Sequence, residues 1–244
     1  MIRIKKEFSS TLIDGLILTS SNALVFGYLF PSMGMNSSLV APVFVGTLVT
    51  MIFNLGFSLA SRVVVDLEHN RFIDYQITLP IGSWGVLSSY IASFFIELII
   101  SISPLIVFGM IALSEALKWG NVNWLWFIPI YSVSLLFVSV FFLALGLRYH
   151  YYWFFDNVWP RRLTPLVVSG CIFIPWTTIA RFSPLIGFIS LLNPVTYISE
   201  GLRSSLLGGT AYIAPQWCLL GVTIWLACSL IFLAQSKNKQ ITMV

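Results

Sequence analysis

Long unbroken apolar runs constrain this chain more than any other feature. Stretches at about 11–30, 39–61, 84–113, 124–147 and 216–234 carry almost no charge. Each is long enough to cross the roughly 30 Å hydrocarbon core of a bilayer as a helix. None alternates apolar and polar residues as the strands of a membrane barrel do. Composition agrees. Of 244 residues, 58% are hydrophobic and 9% charged, and mean hydropathy is +0.91. A soluble domain carries about 25% charged residues, which keep its surface in water. A soluble enzyme, a disordered chain and a nucleic-acid-binding module are therefore excluded. The expectation is an all-α, multi-pass membrane protein forming one transmembrane domain over residues 1–244. Residues 1–30 lack an A-x-A cleavage site and read as a first span, not a signal peptide.

A fifth span is expected at 165–180. Thr164-Pro165 has the form of an N-cap followed by proline at the first helical position. Residues 181–215 are too interrupted to cross. Ser183-Pro184 and Asn193-Pro194 repeat the cap-plus-proline signal, and Gly208-Gly209 reads as a helix stop. Two short helices, about 184–192 and 194–207, should form a re-entrant pair within 183–209. Such backbone is tolerated at membrane depth only against protein or a wet cavity. Residues 62–83 and 148–163 read as polar loops.

Six spans put both termini on one side. Arg3, Lys5, Lys6, Arg62, Arg71, Arg148, Arg161, Arg162, Lys237 and Lys239 fall on that side, against Lys118, Arg181 and Arg203 on the other. The positive-inside rule then makes the termini and both polar loops cytoplasmic and the re-entrant pair external.

Little in the chain suggests bond chemistry. The histidines are His69 and His150, both in expected loops, and no H-E-x-x-H helix exists. No glycine precedes any of Lys5, Lys6, Lys118, Lys237 or Lys239, so no phosphate-binding P-loop is present. Any ATP-driven work must come from another chain. Cys171, Cys218 and Cys228 lie in apolar stretches without metal-ligand spacing.

A few polar residues remain as candidates. Glu97 is the one acid near the middle of a span, where an ionised side chain is costly. It reads either as a path-lining or proton-carrying group or as a hydrogen-bonded structural carboxyl. Asn54 in the second span can bridge neighbouring helices. The 62–83 loop mixes Asp66, Glu68, Arg71 and Asp74 with apolar Val63, Val64, Leu67, Phe72, Ile73 and Ile77. It is a solvated loop or a docking helix for a soluble partner. Glu200 and Arg203, at i and i+3, can pair on one helix face and pin the re-entrant fold. Tyr149, Tyr151, Tyr152, Trp153, Phe154, Phe155 and Trp159 form an aromatic belt at an interface. Arg148, Arg161 and Arg162 beside it can attract anionic headgroups.

Two sets of residues resemble a known family. Ser169-Gly170, Pro175, Ser183-Pro184, Leu192-Asn193-Pro194-Val195-Thr196-Tyr197, Glu200, Leu202 and Arg203 resemble a run between spans five and six of type-2 ABC exporter permeases. Leu79-Pro80-Ile81 after an acidic loop is similar to the segment between their spans two and three. The resemblance covers roughly 62–210. It implies two six-span subunits, a homodimer in the simplest case, with two separate ATP-binding cassette subunits docked below. ATP and Mg would be bound by those partners, with no cofactor in this chain. Asp66, Glu68, Arg71, Asp74, Leu79 and Pro80 would lie in an ATPase-coupling loop. Asn193, Pro194, Tyr197, Glu200 and Arg203 would form a re-entrant gate. The implied function is export of an amphipathic lipid, glycolipid or polysaccharide, or drug-like substrate across the cytoplasmic (inner) membrane, among membrane lipids and without nucleic acid. The alternative is an ion-coupled secondary transporter using Glu97; Glu97 and Asn54 are the candidates for path-lining or buried polar residues.

Overall fold

The computed structural model describes residues 13, 17, 20, 21, 25, 40–78, 80, 82–113, 119–209 and 211–241. The expected first span, both termini and Leu79 therefore lie outside the described residues, save for five positions of that span, and so does the side chain of Asp74. Among the described residues every regular element is helical. We number them α1 (Val40–Val65), α2 (Phe72–Thr78), α3 (Ser83–Ala112), α4 (Trp124–Arg148), α5 (Tyr151–Trp153), α6 (Thr164–Val168), α7 (Trp176–Phe182), α8 (Pro184–Ser190), α9 (Pro194–Leu206) and α10 (Pro215–Ile241).

Among the described residues four helical stretches are long and apolar enough to cross a membrane: Val40–Asn70, Ser83–Ile111, Trp124–Arg148 and Pro215–Asn238. The bent pair α8–α9, turning by 96°, makes a fifth if it counts as one crossing. The multi-pass membrane class is thus the one the apolar runs announced.

α4 is the spine of the bundle. It packs along α10 and against α1, α3 and α9. Leu135, Val138, Phe142, Leu143 and Ala144 on it are sealed from the surroundings. Small residues set the close approaches: a side chain at Gly56 would meet the Phe142 ring, and one at Gly146 would meet Val63. α10 turns Trp217, Leu220, Ile224, Leu230 and Ile231 outward. An apolar outer face of this kind suits lipid, where helix association rests on packing and not on hiding greasy surface.

The bundle has two distinct ends. At one, the start of α4 meets the end of α9, with Asn123 N donating to Ser205 O at 2.8 Å. At the other, the end of α10 meets the start of α3, with Lys237 Nζ 4.7 Å from the centre of the Trp84 ring. There too His69 packs edge-on against Tyr151 at 5.8 Å. The segments 66–78 and 148–163 lie at this second end.

The two cap-plus-proline signals at 183–184 and 193–194 open helices as expected. Ser183 Oγ accepts from Ile186 N at 3.5 Å, and Asn193 Oδ1 accepts from Val195 N at 2.9 Å. Gly208 and Gly209 follow the end of α9 with φ of +68° and +87°, a conformation that favours glycine.

Three local expectations are corrected. First, residues 62–70 are not loop: α1 runs to Val65 and continues as a π-helical turn over Asp66–Asn70. Second, 148–163 is helical from Tyr151. The π-helical Phe154–Leu163 leads without a break from α5 into α6. Third, Thr164-Pro165 opens no helix. Thr164 is itself helical, and its hydroxyl turns back to the Trp159 carbonyl at 3.0 Å instead of forward as a cap. The wide π turn makes that i−5 contact possible. No helix covers 165–180 either. The chain breaks after Val168, and Cys171 takes a φ of +54°. A side chain at Gly170 would collide with Val195, so the break is where the chain presses against α9.

Candidate functional site

The broken segment 169–175 is held by a buried ion pair. Arg203 Nη1 lies 3.0 Å from Glu200 Oε1, and both side chains are 0% exposed. Two uncompensated charges cannot stay at such a place, and neither is uncompensated. Arg203 also donates to the carbonyls of Cys171 (2.5 Å), Ile172 and Pro42 (3.2 Å). Glu200 accepts from Trp176 N at 3.1 Å and from Ile213 N at 3.3 Å. One pair thus ties together the break, the start of α1, the start of α7 and the approach to α10. The planar fork of an arginine suits this task, since several fixed donors leave one side chain.

The rest of the Asn193–Tyr197 run serves the same junction. Asn193 Nδ2 donates to Leu166 O at 2.6 Å and to Ser169 Oγ at 2.9 Å, besides capping α9. Pro194 stands at the first turn of α9, where no intrahelical N–H is needed. Thr196 Oγ1 donates to Ser190 O at 2.7 Å, fixing the bend between α8 and α9. The Tyr197 ring lies over Gly221 of α10, where a Cβ would overlap it. α8, by contrast, leaves Leu185, Ile186, Phe188 and Ile189 exposed. A clamped, polar-bonded inner helix therefore carries an apolar outer one.

At the opposite end, Asp66 Oδ2 accepts from Ile73 N at 2.9 Å, anchoring α2. Arg71 joins the π turn to α2 with a φ of +50°, its N–H donating to Asp66 O at 2.6 Å. Ile73 is buried while Phe72 is 52% exposed and Tyr75 is exposed as well. Glu68, Arg71 and Pro80 are exposed. Asp66, Glu68 and Arg71 are thus brought together on one short structure with α2.

Glu97 has a charged partner. Arg62 Nη2 lies 2.5 Å from Glu97 Oε1, with the two side chains 42% and 38% exposed. The pairing joins residues 35 positions apart. Asn54 faces outward from α1, as do Ser58 and Arg62 along the same side. The sequence offered no signal for the Arg62–Glu97 pair beyond the charges themselves. Trp176 and Ser199 were also missed as site residues. Ser199 Oγ donates to Gly170 O at 2.8 Å, and the Ser169-Gly170 pair was its only trace.

The aromatic stretch forms two clusters. Phe57 of α1 stacks on Phe154 at 4.9 Å and meets Trp159 at 5.3 Å. Tyr149 stacks on Trp153 at 4.3 Å, with the Arg162 guanidinium about 5 Å from both rings. Among the described residues no group of three His, Cys, Asp or Glu side chains is placed to hold a metal ion. What this arrangement can do is mechanical: one end is exposed and helical, the other is pinned by charge.

Comparison with known proteins gives one match. A family model described as ABC-2 type transporter matches residues 1–207. No curated protein and no solved structure matches the chain.

Proposed function

Since the chain belongs to the ABC-2 type transporter family, a family of membrane permeases, we propose that it is the permease subunit of an exporter driven by a separate ATP-binding cassette ATPase. Its multi-pass helices serve transport, and the energy comes from outside the chain. In this reading the span at 11–30 and a broken crossing at 165–180 complete six. Both termini are cytoplasmic, in the inner membrane. α8 and α9 then dip in from the outside and return.

The observation that carries this reading is α2. It is a short helix anchored by Asp66, buried on the Ile73 side and exposed at Phe72 and Tyr75. It sits at the bundle end where Arg62, Arg71, Arg148, Arg161, Arg162 and Lys237 gather, which the positive-inside rule makes cytoplasmic. Exposed aromatic side chains beside charges are the usual anchors of a protein interface. Here the partner is the ATPase, which binds ATP and Mg. Asp66, Glu68, Arg71, Asp74, Leu79 and Pro80 belong to this coupling segment.

At the other end Asn193, Pro194, Tyr197, Glu200 and Arg203 hold the gate as one rigid piece. Movement of α2 passes through α1, whose start is tied to Arg203 through Pro42. A second copy of the chain completes the path, with Asn54 and the polar side of α1 facing it and the Arg62–Glu97 pair near its cytoplasmic mouth. The substrate is amphipathic: a lipid, a glycolipid or polysaccharide, or a drug-like molecule. The Arg62–Glu97 pair removes the lone carboxylate on which an ion-coupled mechanism would rest. Purification from native membranes tests the reading. The chain should carry a P-loop ATPase with it and support ATP hydrolysis; purification with full transport activity and no such subunit would refute it.

A further inference from the structure

Between α4, α10 and the helical run 151–168 lies a groove that reaches Pro194 at the start of α9. Its volume is about 320 Å³, at the small end of the roughly 300–1,000 Å³ seen for ligand pockets. Phe137, Phe141 and Leu145 of α4 form one wall, Trp225 and Phe232 of α10 the other, and Leu166 the floor. From Phe137 to Leu145 the wall runs for about 12 Å at 1.5 Å per residue. The lining is apolar except for Cys228 and Ser229 on α10 and for Arg162, the one charged residue in it.

That guanidinium is fixed before any ligand arrives. It lies 4.9 Å from the Tyr149 ring centre and 5.0 Å from that of Trp153, and it donates to the Tyr149 hydroxyl. Neither Arg162 nor its exposed neighbour Arg161 has a carboxylate partner among the described residues. The nearby acid, Asp156, is exposed and forms no ion pair among the described residues. Arg162 therefore stands at an elongated, largely apolar slot, with the exposed Arg161 next to it in the chain.

We propose that this groove holds one acyl chain of an anionic glycerophospholipid, with its phosphate bound by Arg162 and Arg161. An elongated apolar wall suits an extended hydrocarbon chain. The charge selects an anionic headgroup over a zwitterionic one, as basic pockets between membrane helices do. A guanidinium is the donor best matched to a phosphate, because it offers paired N–H groups in one plane. The bound lipid is a resident of the fold and distinct from the exported substrate.

Cys228, the one exposed cysteine of the three, lines the same groove. It provides a variant that blocks the slot while sparing both arginines. The test is native mass spectrometry of the full chain, with any partner subunits retained, titrated with phosphatidylglycerol and phosphatidylcholine. The wild type should bind phosphatidylglycerol at least tenfold more tightly. Arg161→Gln with Arg162→Gln should erase that preference, and Arg162→Lys should keep most of it. Cys228→Trp should weaken binding of phosphatidylglycerol at least fivefold with the arginines intact. Should the double variant not fold, Arg161→Gln alone should still cut the preference by at least twofold. Equal affinity for the two lipids in the wild type overturns the proposal. So does a preference that survives the loss of both arginines. An affinity for phosphatidylglycerol untouched by Cys228→Trp also overturns it, since the headgroup alone would then be bound at the surface.

Discussion

Arg203 lies one turn after Glu200 on α9, their charged atoms 3.0 Å apart and both side chains fully buried. The pair is an anchor because of what else it touches. Arg203 reaches the carbonyls of Cys171, Ile172 and Pro42, while Glu200 collects the N–H groups of Trp176 and Ile213. The pair thereby engages the backbone on both sides of the break at 169–175 with charge.

Removing one member should be severe. Arg203→Met leaves Glu200 buried without its counter-charge, a loss of about 3–5 kcal/mol. It also strips three carbonyls of a donor. The variant should fall well below the wild type in thermal unfolding in detergent. Combining it with Glu200→Gln should recover part of the loss, giving a positive coupling in the double-mutant cycle. Additive effects would show that the two residues act separately.

Asn193→Ala tests the start of α9. It removes the cap of Val195 N, worth about 1–2 kcal/mol. It also leaves the Leu166 carbonyl without its donor. A loss of about 2 kcal/mol in unfolding free energy is expected. Asn193→Asp should keep the cap and lose only the donated bonds, and so fall between the two.

The break at 169–175 depends on the close approach of α1. A side chain at Gly46 would run into the Ile172 carbonyl. Gly46→Leu should therefore yield no folded protein. Gly120→Ala is the control, because nothing lies within 4 Å of a Cβ there. It should shift stability by about 0.5 kcal/mol at most. Comparable expression of the two variants would contradict the packing.

The Arg62–Glu97 pair separates two mechanisms. Both side chains are near 40% exposed, at 42% and 38%, and pairs of that kind contribute about 1 kcal/mol or less. Glu97→Gln should therefore leave ATP-driven transport largely intact and lower stability slightly. Complete loss of transport with unchanged stability would favour ion coupling through this carboxylate.

The residues that were legible in the sequence are those whose signal is local. Asn193-Pro194 and Ser183-Pro184 open helices because cap and proline act within one turn, and Gly208-Gly209 ends α9 for the same reason. The same signal misled at Thr164-Pro165. There the preceding aromatic residues pack onto Phe57 of α1, so the helix already exists before the proline arrives. Such a contact between distant segments has no local mark. The i, i+3 spacing of Glu200 and Arg203 announced a pair, but not its burial, which comes from Pro42 and the 171–172 carbonyls. Arg62 and Glu97 were each visible as charges. Their meeting depends on how α1 and α3 align, which hydropathy does not encode.

The account stands most directly on whether α2 touches an ATPase. A photo-crosslinking residue placed at Phe72, and in a second variant at buried Ile73, answers this in intact membranes. The crosslinked product is identified by peptides that contain a P-loop. The prediction is a product at Phe72 that changes in yield when ATP is trapped by vanadate, with little product at Ile73. Transport that persists while Phe72 crosslinks to no ATPase would contradict the claim that this chain is a permease driven from its α2 end.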